Sequence, residues 1–585
     1  MKQLLTSALL ILFTSYTFPQ SPDIWITHFE KSRFLSTPCY TESIEYFQKL
    51  AEYSPFAELK TFGISPQGRE LKYLIVSGDG AFNPDNGKET KKPIVLIING
   101  IHSGEIEGKD ASMLLLREIL ISKEKEYLLD SLSLIVVPIF NVDGHERKSK
   151  YNRINQNGPE EMGWRTTAQN LNLNRDWLKA EAPEMQAMIS LFNEWLPDFI
   201  IDSHTTDGAD YQYTITYSVE KFQNIYGETA NWLRKKFVPY LESKVEQKGI
   251  LIHPYIYLRN WRKGFDGGII DWAATPRFST GYFALQNRPS LLIETHMIKS
   301  YKDRVYSTKA AFESVLGLIN SNANELVELN ERADKNSVKG LTEDGKYLPL
   351  AYNNSEKYQE TKLKGYKYYW EPSDISGDQK LIYTDEEKDF NVKYYNDIFV
   401  IDSIAVPTGY IIPAEWRRLV FSKMELHGVH TKQIQKDTTI TVTKYKFRNV
   451  SFNKASYEGR QTVSFETDKI TEEVQIKAGD IFVPTNQRTV RVIVNLLEPN
   501  AGDSFLRWGY MNSIFEQKEY YENYVMEKLA EEMLNEEPDL RKEFQLKLEE
   551  DEEFKNDPGK RLDFFYERSP YYDKSYLTYP VLRIE

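Results

Sequence analysis

Four segments carry side chains whose chemistry depends on their company. "INGIHSGEIEG" (residues 98–108) places His102 and Glu105 three positions apart, directly after an apolar run. Imidazole nitrogen and carboxylate oxygen are zinc ligands, and a catalytic zinc site takes three protein ligands and leaves one position open. Taken alone, the pair also reads as two surface residues of a strand-to-helix loop. His204 in "PDFIIDSHTTDG" offers the third ligand at the end of another apolar run, with a buried structural histidine as the competing reading. Two imidazoles and one carboxylate leave a zinc site net positive, able to polarise a carbonyl and acidify a water. Glu294 in "SLLIETHMIKS" ends a third such run. A carboxylate there is costly to bury without purpose, and it is the candidate general base. His296, two residues on, shares a strand face with Glu294 and is a rival ligand, or else a structural or supporting residue. In "GWRTTAQNLNLNRDW", Arg165, Asn174 and Arg175 fall in a turn-rich stretch. Near a metal they suit an anionic substrate group, because guanidinium binds carboxylate bidentately. Surface ion pairs with the chain's many acids are the plain alternative.

The elements that must hold these residues follow from the pattern of apolar runs. "LKYLIV", "PIVLIIN", "LSLIVVPIF", "PDFIIDSH", "ILIHPYIYL" and "SLLIETH" alternate with amphipathic stretches, notably 107–122 and 181–196. This is the texture of an α/β domain with a largely buried sheet. Ligands bind outside the carboxyl ends of strands in such sheets, and His102 and Glu105 stand at one. Residues 39–60 show helical spacing, with Ile44, Phe47, Leu50 and Ala51 on one face. A further helical stretch closes this part near residue 335. From about 345 to 500 the sequence alternates, as in "DTTITVTKYKFR" and "RTVRVIVNLLEP", which predicts an antiparallel β region; from 513 onward it reads as helical. The organisation is therefore a signal segment at 1–20, a catalytic domain at 21–335, a β-rich accessory domain at 336–510 and a helical segment at 511–585. The acidic run 549–553 is a solvated surface. His427 and His430 in "ELHGVH" have no third ligand in view and read as surface or structural, and His145 as support for a turn.

Composition narrows the setting. The 585 residues carry a net charge of −13, which argues against a nucleic-acid partner. Lys2 followed by the apolar Leu4–Phe13 stretch has the layout of a secretory signal and is too short to span a bilayer as a mature helix. The mature chain is expected to lack an integral membrane segment and to be exported, to the periplasm or beyond. Cys39 is the only cysteine, so there is no intrachain disulfide and no cysteine-based metal site.

The ordered set His102-x-x-Glu105, "NVDGHE", "WR", "NLNRDW", "SHTT" and "LLIET", preceded by "FGISPQGREL", resembles the zinc metallocarboxypeptidases of the carboxypeptidase A type. The resemblance covers roughly residues 35–335. It implies a mixed, mostly parallel central sheet flanked by helices, and one zinc ion per chain held by His102, Glu105 and His204. It implies Glu294 as the general base that takes a proton from a zinc-activated water and passes it to the leaving amine. Arg165 matches the residue that stabilises the oxyanion, and Asn174 and Arg175 the pair that grips the terminal carboxylate of a peptide substrate. The family's Asn-Pro-Asp-Gly appears as Asn141-Val142-Asp143-Gly144, without the proline. Tyr282 is the candidate for the family's mobile tyrosine, and Arg277 for a residue favouring an acidic terminal side chain or, equally, for a partner of Asp271 or a solvent-facing side chain. Two other readings keep the scaffold: a peptidase acting on cell-wall (murein) peptides, and a non-catalytic peptide-binding protein.

Overall fold

A computed structural model of the chain describes residues 22–343 and 346–585; the expected signal segment at 1–20 lies outside the described residues. The apolar runs become strands β1 (Ala57–Ile64), β2 (Glu70–Val76), β3 (Ile94–Asn99), β4 (Ser133–Val137), β5 (Phe199–Thr206), β6 (Ile215–Ser218) and β7 (Ile252–Pro254). Two short strands follow, β8 (Tyr257–Leu258) and β9 (Ile269–Ile270), and then β10 (Ser290–His296). Apart from β8 and β9 they form one eight-stranded sheet in the order β1-β2-β4-β3-β5-β10-β6-β7. The central β4-β3-β5-β10 run is parallel, with antiparallel pairing at β1-β2, β2-β4 and β10-β6. Strands β3, β4 and β5 are buried at every position, which is why they read as continuous apolar runs rather than alternating ones.

Helices cover one face of the sheet, among them Tyr40–Tyr53, Glu107–Leu120 and Tyr301–Ser321, and bury Phe47, Leu115 and Phe312 against it. The other face packs under the helix Pro183–Trp195 and directly under the C-terminal half of the chain. That half contains β11 (Tyr347–Asn354), β12 (Gln359–Pro372), β13 (Gln379–Tyr395), β14 (Ile398–Ala405), β15 (Gly409–Ile412), β16 (Lys432–Gln433), β17 (Thr438–Phe452), β18 (Val463–Ile476), β19 (Ile481–Pro484) and β20 (Leu582–Ile584). The β12–β13 hairpin adds to β9 and β8, and a six-stranded sheet runs β16-β19-β15-β20-β17-β18. Helices from Asn523 to Tyr566 gather around Phe544, Phe554 and Phe565. Among the described residues no helix is long and apolar enough to cross a membrane.

Three local expectations change. The helix expected over 39–60 stops at Tyr53, because Pro55 forces the residue before it out of the helical region, and Ala57 starts an edge strand. "ILIHPYIYL" breaks into β7 and β8. "RTVRVIVNLLEP" is not a strand: Val490–Leu497 is a helix with all eight residues buried. A segment apolar on every side has no periodicity to declare its type, and packing overrides the β preference of its valines. Residues 516–522 have no regular secondary structure rather than being helical.

Candidate active site

Three adjacent parallel strands deliver the candidate residues to one edge of the sheet. Asn99, at the end of β3, lies opposite Ser203 of β5, and His204 lies opposite Glu294 of β10. After β3 the chain turns through His102 and Glu105 into the helix Glu107–Leu120. Gly108 sets how closely that helix approaches: a Cβ there would sit 2.1 Å from both Asn99 Oδ1 and Ser203 Oγ. Glu105 is thereby held over the end of β5. Its Oε2 lies 3.2 Å from His102 Nδ1 and 3.0 Å from His204 Nδ1, and one ligand atom from each of the three residues falls within 4.8 Å of the others.

The donor set fits a tetrahedral zinc. Bonds of about 2.0–2.1 Å give ligand-to-ligand edges of about 3.3 Å, close to both separations. The outer ring nitrogens lie beside oxygens of other residues. His102 Nε2 lies 3.0 Å from Asn172 Oδ1, and that oxygen also accepts the Asn174 backbone N–H at 3.0 Å, which fixes which end of the amide it is. His102 Nε2 must then carry the proton, and the Nδ1 lone pair points inward. His204 Nε2 lies 2.9 Å from Asp202 Oδ2, itself held by Ser279 Oγ at 2.6 Å. Partners of this kind on the outer nitrogen orient metal-binding histidines.

The electrostatics differ among the donors. Burial pushes the His102 pKa down to about 4, keeping the ring neutral as a ligand must be. Burial opposes charge on Glu105, but His102 and the Arg153 guanidinium (Nη2–Oε1 2.8 Å) hold its carboxyl well below the usual range. Burial works against a charged His204, yet the Asp202 carboxylate lifts its pKa well above the usual value. Glu294 is pushed up to about 8 by burial, reinforced by the Glu105 and Asp202 carboxylates and resisted by His204.

These residues face a cleft of about 930 Å3, lined also by Arg165, Asn174, Arg175, Tyr255, Tyr257, Ile270, Trp272, Phe278 and Leu292. Arg165 Nη1 reaches Glu105 Oε1 at 3.1 Å. The Asn174 side-chain oxygen accepts the Ser279 backbone N–H at 3.0 Å, leaving its amide group for a ligand. Arg175 stacks its guanidinium 4.3 Å from the Phe278 ring centre and donates to Asn174 O. Residues 43–303 match the family model described as "Zinc carboxypeptidase".

Over that segment the chain is similar to the zinc carboxypeptidases.

A Carboxypeptidase 2 of Trichophyton rubrum is 23% identical over 509 residues, covering 81% of this chain and 84% of that one. An inactive metallocarboxypeptidase of Saccharomyces cerevisiae is 33% identical over 107 residues, 17% of this chain and 24% of that one. Among solved structures, a putative carboxypeptidase A from Shewanella denitrificans aligns with a TM-score of 0.37 at 18% identity, over 49% of this chain and 69% of that one.

Within the matched segment, several expectations need correction. Tyr282 does not reach the cleft. It is fully buried in the helix Ser279–Leu285, stacked on Trp177, with its hydroxyl 3.0 Å from His427 Nδ1. The tyrosines that line the cleft are Tyr255, whose hydroxyl lies 2.9 Å from Thr206 Oγ1, and Tyr257. Arg277 binds Asp503 (Nε–Oδ1 2.7 Å), not Asp271, and stacks over Trp508. His296 is buried against Tyr211, with Nε2 2.8 Å from Ala209 O, and stands outside the His102–Glu105–His204 group. Of the pair read as surface or structural, His427 is buried in the core and His430 is exposed. His145 contacts Glu146 and the buried Lys109.

Sequence reading missed Arg153 and the pair behind the candidate ligands. Glu107 is buried, takes the Thr205 hydroxyl at 2.8 Å and pairs with Arg304 at 2.6 Å. Arg304 also donates to the carbonyls of Asn157, Gly158, Met297 and Lys299, tying the end of β10 to the cleft loop. Asp202 was legible, since it shares a strand face with His204. Arg304 carried no local signal.

Proposed function

We propose that this chain is a zinc-dependent carboxypeptidase, with one zinc ion held by His102, Glu105 and His204, that hydrolyses the last peptide bond of substrates bearing a free C-terminal carboxylate. The observation that carries this is the convergence on one cleft of the three inward-facing donors, Glu294, and the Asn174–Arg175 pair. A zinc ion held there supplies Lewis-acid polarisation of the scissile carbonyl and lowers the pKa of a water. Glu294 takes the proton from the attacking water and returns it to the leaving amine; its largely buried place at the cleft floor, on the strand next to His204, suits both transfers. The Arg165 guanidinium offers hydrogen bonds to the charge that develops on the carbonyl oxygen. The Asn174 amide and Arg175 bind the terminal carboxylate, so the distance from that group to the metal selects the last bond.

The same reading takes 21–335 as the catalytic domain, 336–510 as an accessory region and 511–585 as a helical segment. It places the protein outside the cytoplasm, on the Lys2 and Leu4–Phe13 layout. The deciding experiment is Glu294→Gln. Zinc content should be retained while release of C-terminal residues from a peptide library, followed by mass spectrometry, is lost. Undiminished release by the variant removes Glu294 as the base, and internal cuts by the wild type remove the exopeptidase assignment.

A further inference from the structure

The hairpin β17–β18 ends in a two-residue turn, Glu458-Gly459, between the bridged pair Tyr457 and Arg460. Both turn residues have positive φ, +48° and +75°. A turn of this shape favours Asn, Asp or Gly at its first position, and a glutamate there adopts a backbone conformation that disfavours it. The side chain at that costly position is in use. Glu458 Oε2 accepts the backbone N–H of Asn172 at 2.9 Å, 286 residues earlier in the chain.

Asn172 is the residue on which two parts of the site depend. Its side-chain oxygen lies against His102 Nε2 and turns the backbone by accepting the Asn174 N–H. Two and three residues on stand Asn174 and Arg175. The far end of the same loop is held by the same hairpin: Arg460 Nε donates to Glu181 Oε2 at 2.9 Å, and Tyr510 of the C-terminal half donates to the other oxygen at 2.9 Å. Tyr457 stacks on Trp508 with the rings nearly parallel, so the tip itself is braced. The loop carrying Asn174 and Arg175 is thus pinned on both sides by the accessory half.

We infer that Glu458 is a positioning residue for the substrate-carboxylate pair, so that the C-terminal half builds part of the active site instead of sitting beside it. This rests on the carboxypeptidase reading above. A hydrogen bond to a charged acceptor carries enough free energy that its loss, felt in ground state and transition state alike, raises KM about tenfold with kcat little changed. Three variants separate this role from a structural one. Glu458→Ala removes the acceptor. Glu458→Gln keeps a carbonyl oxygen at the same reach. Glu458→Asn supplies the residue the turn prefers but is one methylene too short.

The alanine and asparagine variants should show the raised KM for peptides with a free carboxylate, with zinc content retained. The glutamine variant should raise KM only about threefold, since it keeps an acceptor but loses the charge. The asparagine variant should also match or exceed the wild-type melting temperature, since it relieves the turn, which a stability defect would not produce. KM unchanged in both the alanine and asparagine variants overturns the inference, as does a loss that follows melting temperature. Should the wild type release no C-terminal residue, the parent reading falls instead. Hydrogen exchange at 170–176 then decides this one: faster exchange in Glu458→Ala upholds the brace, and unchanged exchange removes it.

Discussion

Replacing Glu220 with glutamine should make the protein's stability less sensitive to alkali. Glu220 is 2% exposed and accepts from Thr280 Oγ1 at 3.0 Å, from the Ala274 backbone N–H at 3.3 Å and from the Asn224 amide. Burial pushes its carboxyl from 4.5 up to about 7 in spite of these donors. Below about pH 4.5 the group is protonated in both folded and unfolded chains and the fold has its full stability. Between 4.5 and about 7 the folded chain binds more protons than the unfolded one, so stability falls as pH rises, and it is lost through the folded pKa. The full loss for such a shift is about 3 kcal/mol. Glutamine cannot ionise, and its amide nitrogen would face Asn224, whose Oδ1 has no hydrogen-bond partner and can take it once the Asn224 amide flips. The stability difference between Glu220→Gln and wild type should therefore grow in the variant's favour by about 3 kcal/mol from about pH 4.5 to about pH 8. Paired denaturant titrations at several pH values, read by tryptophan fluorescence, measure it. A difference that stays level across that range refutes the reasoning. The position matters to the site because Ala274 and Thr280 bracket Phe278, a wall of the cleft.

Two further outcomes follow from the site. Asp202→Asn should weaken zinc binding by about 10- to 100-fold in chelator competition, since the partner of a ligating histidine orients it; unchanged affinity would mean His204 needs no such support. Peptides ending in Phe or Leu should be trimmed faster than those ending in Glu or Lys, because Leu292, Ile270, Trp272 and Phe278 line the cleft while Arg277 is held by Asp503. Equal or faster release of Glu would refute that preference.

The strand ends were readable because a fully buried parallel strand must be apolar throughout, so a histidine or glutamate closing the run stands out. His102, Glu105, His204 and Glu294 were found this way, and the family motifs supplied the Arg165–Arg175 stretch. Tyr282 failed because its neighbours along the chain say nothing about which way the helix faces; it packs on Trp177, more than a hundred residues away. Arg304 and Glu458 were invisible for the same reason, acting on carbonyls and amides brought to them only by the fold. The helix at 490–497 misled because complete burial erases the period that distinguishes helix from strand.

The second face of the central sheet has a consequence for how this chain can be cut or recombined. Ile75, Ile98, Trp177 and Phe283 share one continuous apolar core with Tyr410, Met424, Phe447, Val492 and Leu506. A chain stopped near residue 335 would turn that shared interior into exposed apolar surface far larger than a soluble monomer tolerates, and should aggregate. The division near residue 335 thus runs through a single hydrophobic interior, and cutting there exposes both sides of it.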